Sequence, residues 1–269
     1  MRTTIIACAV ILARIAGQGQ EPARSDEYRR LNRQVFMTSA EGRSGRKDLL
    51  FGDQREPVVK RLKDLLVQQA LYTLNHGGKS DDVKGAINML QGDYAHAELR
   101  RDATNTPVVH ETVLTGAPIV TVIASIMRGT DGIPDPITLI LFFAKGGGRW
   151  TLVTEGGQEL ESRMLYAEPI QSPLAGEAWY LVYGQAYGSP GGYKRIAVYS
   201  FNGFSSRVVG TLDNLRGADI KKVEGQEISL TFMDEKDPEW REYEMELRIT
   251  PNGFVELGRR LHQPRRSPR

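Results

Sequence analysis

The chain has 269 residues, of which 40% are hydrophobic and 25% are charged, and these proportions are typical of a globular protein with a hydrophobic core. Its net charge is +2, but two arginines lie in the first seventeen residues and five in the last eleven, so residues 18–258 carry a net charge of −5. An acidic body of this kind gives no reason to expect a nucleic-acid-binding protein. Cys8 is the only cysteine, so the chain beyond it can form neither an internal disulfide nor a thiolate metal site.

The N-terminus has the layout of a secretory signal peptide. Arg2 gives a positive start, an apolar run extends over residues 3–13, and small residues follow at 16–17. The run is shorter than the roughly 20 apolar residues of a membrane-spanning helix. We therefore predict that 1–17 is a signal peptide, that the protein is periplasmic or secreted, and that it has no transmembrane anchor. A buried or frayed first helix is the alternative.

Residues 18–56 are rich in Arg, Glu, Gly and Ser, which predicts a polar and partly flexible lead. One short helix is expected near 26–37, where four large apolar residues share a face. The segment AEGRSGRKD at 40–48 is predicted to be a loop.

A helical region is predicted over 57–106. Apolar residues recur at three- and four-residue spacings over 57–75 and again over 81–90, which indicates two amphipathic helices. Pro57 suits the first turn of the longer helix, because N–H groups in that turn have no acceptor within the helix and proline has no N–H. Ser80 is the predicted N-cap of the second helix.

Runs rich in β-forming residues begin after Pro107 and continue to residue 258. Their regular spacing, with turn signals between them, predicts an antiparallel meander of about ten strands. The predicted fold class is therefore α+β, with a small helical N-terminal region followed by a long antiparallel β-meander over 107–258, as a sheet or a sandwich. We expect the helices to cover one face of this sheet near 139–143. A closed propeller is excluded, because 107–258 could supply three blades at most and a propeller needs at least four.

Two stretches have the pattern of paired hairpins: YKRIAVYSFNGFSSRVV at 193–209 and ISLTFMDEKDPEWREYEMELRITPNGFVEL at 228–257. They resemble the hairpins of propeller-type (FG-GAP-like) repeats, and the C-terminal half of exported bacterial proteins with no assigned activity. The likeness covers about a third of the chain and implies no functional residue. The order of elements over 57–154 also resembles the NTF2-like group, which implies a cone with a small-molecule pocket whose residues the sequence does not identify.

Aromatic residues alternate through AWYLVYGQAYGSPGGYKRIAVYSFNG at 178–203. Trp179, Tyr183 and Tyr187 share one face of a predicted strand, and we consider them candidate ligand-binding residues that would stack on the sugar rings of a cell-wall glycan. The alternative is that they fill the core. The loop GSPGG at 188–192 is predicted to be a hairpin bend and not a phosphate cradle, because a strand and not a helix follows it.

No catalytic or metal-binding residue is assigned from the sequence. The histidines are His76, His96, His110 and His262. They form no HExxH motif, and no G-x-S-x-G motif occurs. The acidic clusters GTDGIPDP at 129–136 and MDEKDPEW at 233–240 depart from the EF-hand order and are predicted to be solvated turns. We therefore expect no cofactor.

The functional expectation is an exported, noncatalytic cell-envelope protein that binds a glycan, a peptide or a partner protein through its β-sheet. One alternative is an extracytoplasmic hydrolase in which His96 or His110 meets a carboxylate, and another is the NTF2-like small-molecule-binding cone. A structural or chaperone-like subunit with an open sheet edge is a third. The tail at 259–269 is predicted to be basic and disordered, and the sequence leaves the oligomeric state open.

Overall fold

The structure, a computed structural model, describes residues 21–37, 39–92, 107–130, 136–157, 163–186, 193–234 and 236–262. The chain divides into two compact units, Met1–Arg163 with Gly203–Ser205 and Met164–Asn202 with Ser206–Arg269. A short helical region precedes many antiparallel strands, and no sheet in the described part closes into a barrel, so the predicted α+β fold class is confirmed. The sequence left open whether the helical and β regions form one domain or two. The first unit combines the helices with the first long strands, which form a sheet of their own on the helices.

The helices lie close to their predicted positions. They are α1 (Ser25–Val35), α2 (Ser39–Arg43), a 3-10 turn (Gly52–Arg55), α3 (Glu56–Asn75) and α4 (Ser80–Gln91). Helix α1 ends two residues early because Phe36–Met37, as strand β1, pairs in parallel with β4 at Gly129–Thr130. Helix α2 falls in the segment at 40–48 that was predicted to be a loop.

The start of α4 corrects a predicted cap. Lys79, and not Ser80, precedes the first helical residue, and its N–H donates to the Asp82 carboxylate at 2.8 Å. The N–H of Ser80 donates to the Glu111 carboxylate at 2.8 Å. Two carboxylates therefore accept the backbone donors that a helix leaves unpaired at its N-terminus.

The first unit contains a four-stranded antiparallel sheet in the order β2-β3-β5-β6. These strands are β2 (Val108–Leu114), β3 (Ala117–Ile126), β5 (Ile137–Gly146) and β6 (Arg149–Gly156). One face packs against the helices, and the core there is formed chiefly by Leu62, Leu65, Leu66, Ala70, Leu71, Leu74, Val83, Ile87, Leu90, Val120, Val122, Ala124, Ile126, Leu139, Leu141 and Phe143. The prediction that helices cover the strand at 139–143 is therefore confirmed. On the opposite face, Ile123, Ile140 and Phe142 are also buried.

Two tight turns join the strands of this sheet. Gly147 and Gly148 connect β5 to β6, and both have positive φ, as a two-residue hairpin turn requires. Thr115 and Gly116 connect β2 to β3 in the same way, with Thr115 at a φ of 49°. A β-branched residue is strained in this left-handed region, so Thr115 is a local cost to stability.

The second unit contains a seven-stranded sheet in the order β13-β12-β11-β10-β9-β8-β7. Its strands are β7 (Arg163–Ile170), β8 (Ala178–Ala186), β9 (Tyr193–Phe201), β10 (Ser206–Glu224), β11 (Glu227–Met233), β12 (Glu242–Thr250) and β13 (Gly253–Leu261). One core of this sheet contains Trp179, Leu181, Tyr183, Ile196, Val198, Val209, Leu215, Ala218, Ile228, Leu230, Phe232, Met245, Leu247 and Ile249. The antiparallel pairing of β8 with β9 confirms the predicted hairpin, although its loop at 187–192 lies outside the described residues.

The β-forming runs at 204–212 and 219–224 favour two strands, but the structure has a single strand there, β10. It is 19 residues long and shifts its register against both neighbours, which bends it. A Cβ atom at Gly210 would lie 2.9 Å from the Cα atom of Gly253, so the start of β10 approaches the start of β13 too closely for a side chain. The preceding loop has four residues, 202–205, although its Asn202-Gly203 pair is typical of a two-residue hairpin turn.

Strand β13 continues to Leu261, so the predicted start of the tail at 259 lies three residues too early. Residues 263–269 lie outside the described part of the chain. Among the described helices, none combines the length and apolarity needed to cross a bilayer.

Candidate functional site

Two of the three aromatic residues that the sequence singled out, Trp179 and Tyr183, are core residues. Trp179 is 1% exposed and Tyr183 is 7% exposed, and both belong to the core of the second sheet. The Trp179 indole N–H donates to the Glu177 carboxylate at 2.8 Å, and the Tyr183 hydroxyl donates to the carbonyl oxygen of Ala218. Their burial favours the core alternative over a stacking surface, and Tyr187 lies outside the described residues.

The surroundings of Tyr183 show the electrostatic consequence of this burial. Burial raises the pKa of the Tyr183 hydroxyl well above its usual value, with a smaller contribution from Asp219. The Lys194 ammonium lies 5.4 Å from the centre of the Tyr183 ring, and burial lowers the pKa of Lys194. Tyr183 is therefore a neutral, internally hydrogen-bonded group at physiological pH.

The described histidines are His76, His110 and His262. His76 occupies the C-cap of α3, with Nδ1 2.8 Å from the carbonyl oxygen of Tyr72. Glu111, next to His110 on β2, accepts the N–H of Ser80 at the start of α4. His96 lies outside the described residues, and within them no group of His, Cys, Asp and Glu is arranged to hold a metal ion.

An open cleft of about 840 Å³ lies in the first unit at the start of α3, and we call it the α3 cleft. The described residues that line it are Gly52, Asp53, Arg55, Glu56, Pro57, Val59, Lys60, Lys63, Arg128, Ile137 and Leu139. They come from the 3-10 turn, the first two turns of α3, the segment after β3 and the start of β5. Packing of α3 on the sheet brings these segments together.

Basic side chains outnumber acidic ones in the α3 cleft. Its four basic residues are Arg55, Lys60, Lys63 and Arg128, and its two acidic residues are Asp53 and Glu56. The Lys63 ammonium lies 2.7 Å from the Glu155 carboxylate, which offsets its charge. Lys60 is exposed and makes no ion pair with any described residue. Glu56 in the first turn of α3 offsets the partial positive charge of the helix N-terminus, so the preference of the cleft for an anionic group comes from its basic side chains.

The floor of the α3 cleft is apolar. Val59 and Ile137 are half-buried against the core of the first unit, and Leu139 is part of that core. Together with Pro57 they give the cleft a hydrocarbon surface beside its charged rim. The described lining residues include no histidine, cysteine or serine, and the ionisable groups among them are carboxylates, lysines and arginines.

The acidic segment at 233–240 differs from the solvated turn that the sequence predicted. Asp237 is only 7% exposed, and its carboxylate accepts hydrogen bonds from Arg241 Nε at 2.7 Å, from the Tyr243 hydroxyl at 2.7 Å and from the N–H of Glu239 at 3.0 Å. These bonds, led by the one from Arg241, lower the pKa of Asp237 to about 2. Asp237 therefore organises this loop, while Asp131 and Asp135 of the other cluster lie outside the described residues.

Sequence reasoning missed the α3 cleft because its residues come from three separated segments and form no local motif. Comparison with known proteins supplies no further residue: no family model matches the chain, and no curated protein is detectably similar to it. The resemblances to propeller-type hairpins and to the NTF2-like group therefore stay predictions from the sequence.

Proposed function

We propose that this protein is a noncatalytic binding protein that holds a small amphipathic anion in the α3 cleft. The observation that carries this proposal is the combination of a basic rim and an apolar floor in one cleft of about 840 Å³. Small-molecule sites in proteins typically enclose about 300–1,000 Å³ and place a few polar groups around an apolar surface. The described lining residues provide charged side chains and an apolar surface, which are the groups that bind an amphipathic ligand.

The ligand class follows from the positions of the two kinds of groups. A carboxylate or phosphate would bind near Lys60 and Arg128, two of the basic side chains of the cleft. An apolar chain or ring would then cover Val59 and Ile137. A ligand with only one of these parts would use half of the cleft and bind more weakly.

This proposal develops the small-molecule alternative of the sequence analysis. Export to the periplasm or the medium stays a proposal that rests on residues 1–17, which lie outside the described part. Binding of a cell-wall glycan, a peptide or an envelope protein through the second sheet is a separate proposal.

Calorimetric titration with decanoate and decyl phosphate tests the proposed ligand class, with decanol and inorganic phosphate as the two half-ligands. We expect the amphipathic anions to bind more tightly than either half-ligand. Lys60→Glu should weaken their binding about tenfold, equivalent to about 1.4 kcal/mol. Lys84→Glu, the same change at an exposed lysine on α4 outside the cleft, should leave binding unchanged. Failure of both anions to bind, or equal binding by the two variants, would contradict the proposal.

A further inference from the structure

A second surface lies in the other unit, on the loop formed by residues 236–241, which we call the Trp240 loop. Trp240 is 45% exposed, although it is one of only three tryptophans in the sequence. Its backbone has a φ of 52°, in the left-handed region that bulky side chains rarely adopt. Strained backbone of this kind persists only where surrounding contacts hold it, and it is concentrated at functional sites.

The contacts that hold the Trp240 loop are those of Asp237. Besides its three side-chain acceptor bonds, Asp237 accepts the N–H of Trp240 at its carbonyl oxygen at 2.9 Å. Its own N–H donates to the carbonyl oxygen of Asp234 at 3.0 Å. The backbone on both sides of Asp237 is therefore fixed, so Trp240 is positioned before any ligand arrives and little conformational entropy remains to be lost on binding.

The indole ring is flanked by charged groups. The Arg216 guanidinium lies 4.2 Å from the ring centre, at a distance typical of a cation–π contact. Glu239 and Arg241 precede and follow Trp240, their side chains are 71% and 50% exposed, and they form an ion pair at 3.4 Å. The Arg216 guanidinium therefore lies over one face of the indole, and the sequence neighbours of Trp240 are exposed hydrogen-bonding groups of opposite charge.

We propose that Trp240 is a stacking platform for a pyranose ring of a glycan. The C–H face of a sugar is apolar and slightly positive, which suits the negative face of an indole. The hydroxyl groups at the rim of the sugar would exchange hydrogen bonds with Glu239 and Arg241. This site lies in the second unit and is independent of the α3 cleft, so neither proposal depends on the other.

A sugar fits this surface better than a protein partner does. The strand pairing also places two exposed apolar side chains near this loop: Met233, paired with Arg216, and Leu261, paired with Tyr243. Stable protein–protein interfaces bury about 1,200 Å² or more. One indole and two aliphatic side chains among charged residues provide only a small part of that area, whereas a single sugar ring needs little more than the indole face.

The test is calorimetric titration of the full chain with chitohexaose, cellohexaose, xylohexaose and mannohexaose. We expect at least one of them to bind with a dissociation constant of about 1 mM or below, and Trp240→Ala to weaken that binding at least about tenfold. Tyr166→Ala removes another exposed aromatic residue of the same unit and should bind like the wild type. Trp240→Phe, which keeps a ring, should recover part of the affinity.

Three outcomes would overturn the proposal. One is the absence of heat from all four sugars at about 10 mM, since a weaker site would not be specific. Another is Trp240→Ala binding a sugar as tightly as the wild type. The third is concentration-dependent self-association in sedimentation experiments that Trp240→Ala abolishes without any sugar binding, which would assign the ring to a protein contact.

Discussion

Trp179 and Trp240 lie in the same unit and have opposite environments. Trp179 is in strand β8, where it and the next four residues are all buried, so both faces of the strand are covered. Trp240 is in a loop and keeps nearly half of its surface exposed. An aromatic residue alone therefore does not indicate a binding surface, because tryptophan is buried in the core in one part of this unit and exposed on a loop in another.

The difference between the two tryptophans comes from what orders the backbone. In β8, ladder hydrogen bonds to β9 fix the chain, and burial of the side chains contributes the stabilising free energy. In the Trp240 loop, a buried carboxylate fixes the chain and the tryptophan contributes little to the core. We expect a substitution of Trp179 to lower the free energy of unfolding several times more than a substitution of Trp240. The following predictions test that difference.

Trp179→Ala is expected to have the largest effect. Removal of a fully buried tryptophan costs about 3–5 kcal/mol, because its burial is lost and a cavity is left. Trp240→Ala should lower the free energy of unfolding by less than about 1 kcal/mol, since its ring is exposed. Urea unfolding of both variants measures the two values. Equal costs would mean that the comparison between the two regions is mistaken.

Asp237→Asn tests whether a carboxylate braces the Trp240 loop. The folded-state pKa of about 2 lies below the ordinary value of 3.8, so the ionised form is favoured by folding. Its stabilisation is complete above about pH 4 and is lost as the pH falls toward 2. The melting temperature of Asp237→Asn should be lower at pH 7 and should fall less than that of the wild type between pH 4 and 2.

Glu246→Gln, at an exposed position of β12, is the control for the acid titration and should keep the wild-type slope. A wild-type slope in Asp237→Asn as well would show that other carboxylates dominate the acid sensitivity of the protein.

The smallest effect is expected from Trp240→Gly. Glycine adopts positive φ without strain, so the substitution relieves about 1–2 kcal/mol of backbone strain. Two losses offset most of that gain: glycine is more flexible in the unfolded chain, and the contact with Arg216 is lost. The variant should remain within about 1 kcal/mol of the wild type and be more stable than Trp240→Ala, which keeps a Cβ atom. Chemical denaturation of the three proteins compares them, and the reverse order would show that the backbone at Trp240 is unstrained.

The elements that depend on local patterns could be predicted from the sequence. Helix α3 follows from the spacing of its apolar residues and from Pro57, and the β5–β6 hairpin follows from its glycine pair. Strand β10 could not be predicted as one element, because Gly210 and Gly217 resemble turn signals. In the structure Gly210 permits a close approach to Gly253, and Gly217 has a φ of 59° within the strand. Both roles depend on distant residues.

The candidate sites were harder to predict for a related reason. The α3 cleft combines Lys60, Arg128 and Ile137, which only the packed fold brings together. The burial of Asp237 could not be predicted from its acidic surroundings in the sequence either. It depends on hydrogen bonds that Arg241 and Tyr243 donate to its carboxylate in the folded chain. The solvated-turn prediction was typical for such a composition and failed for this one residue.

The order of strands in the two sheets bears on how the chain reaches its fold. Strands that are consecutive along the chain are neighbours in both sheets, apart from the two-residue β4. Pairing between consecutive strands closes short loops, which costs less chain entropy and speeds folding relative to Greek-key arrangements. As the chain leaves the ribosome from its N-terminus, each new strand meets a neighbour that has already been made, so both sheets can grow one strand at a time during synthesis.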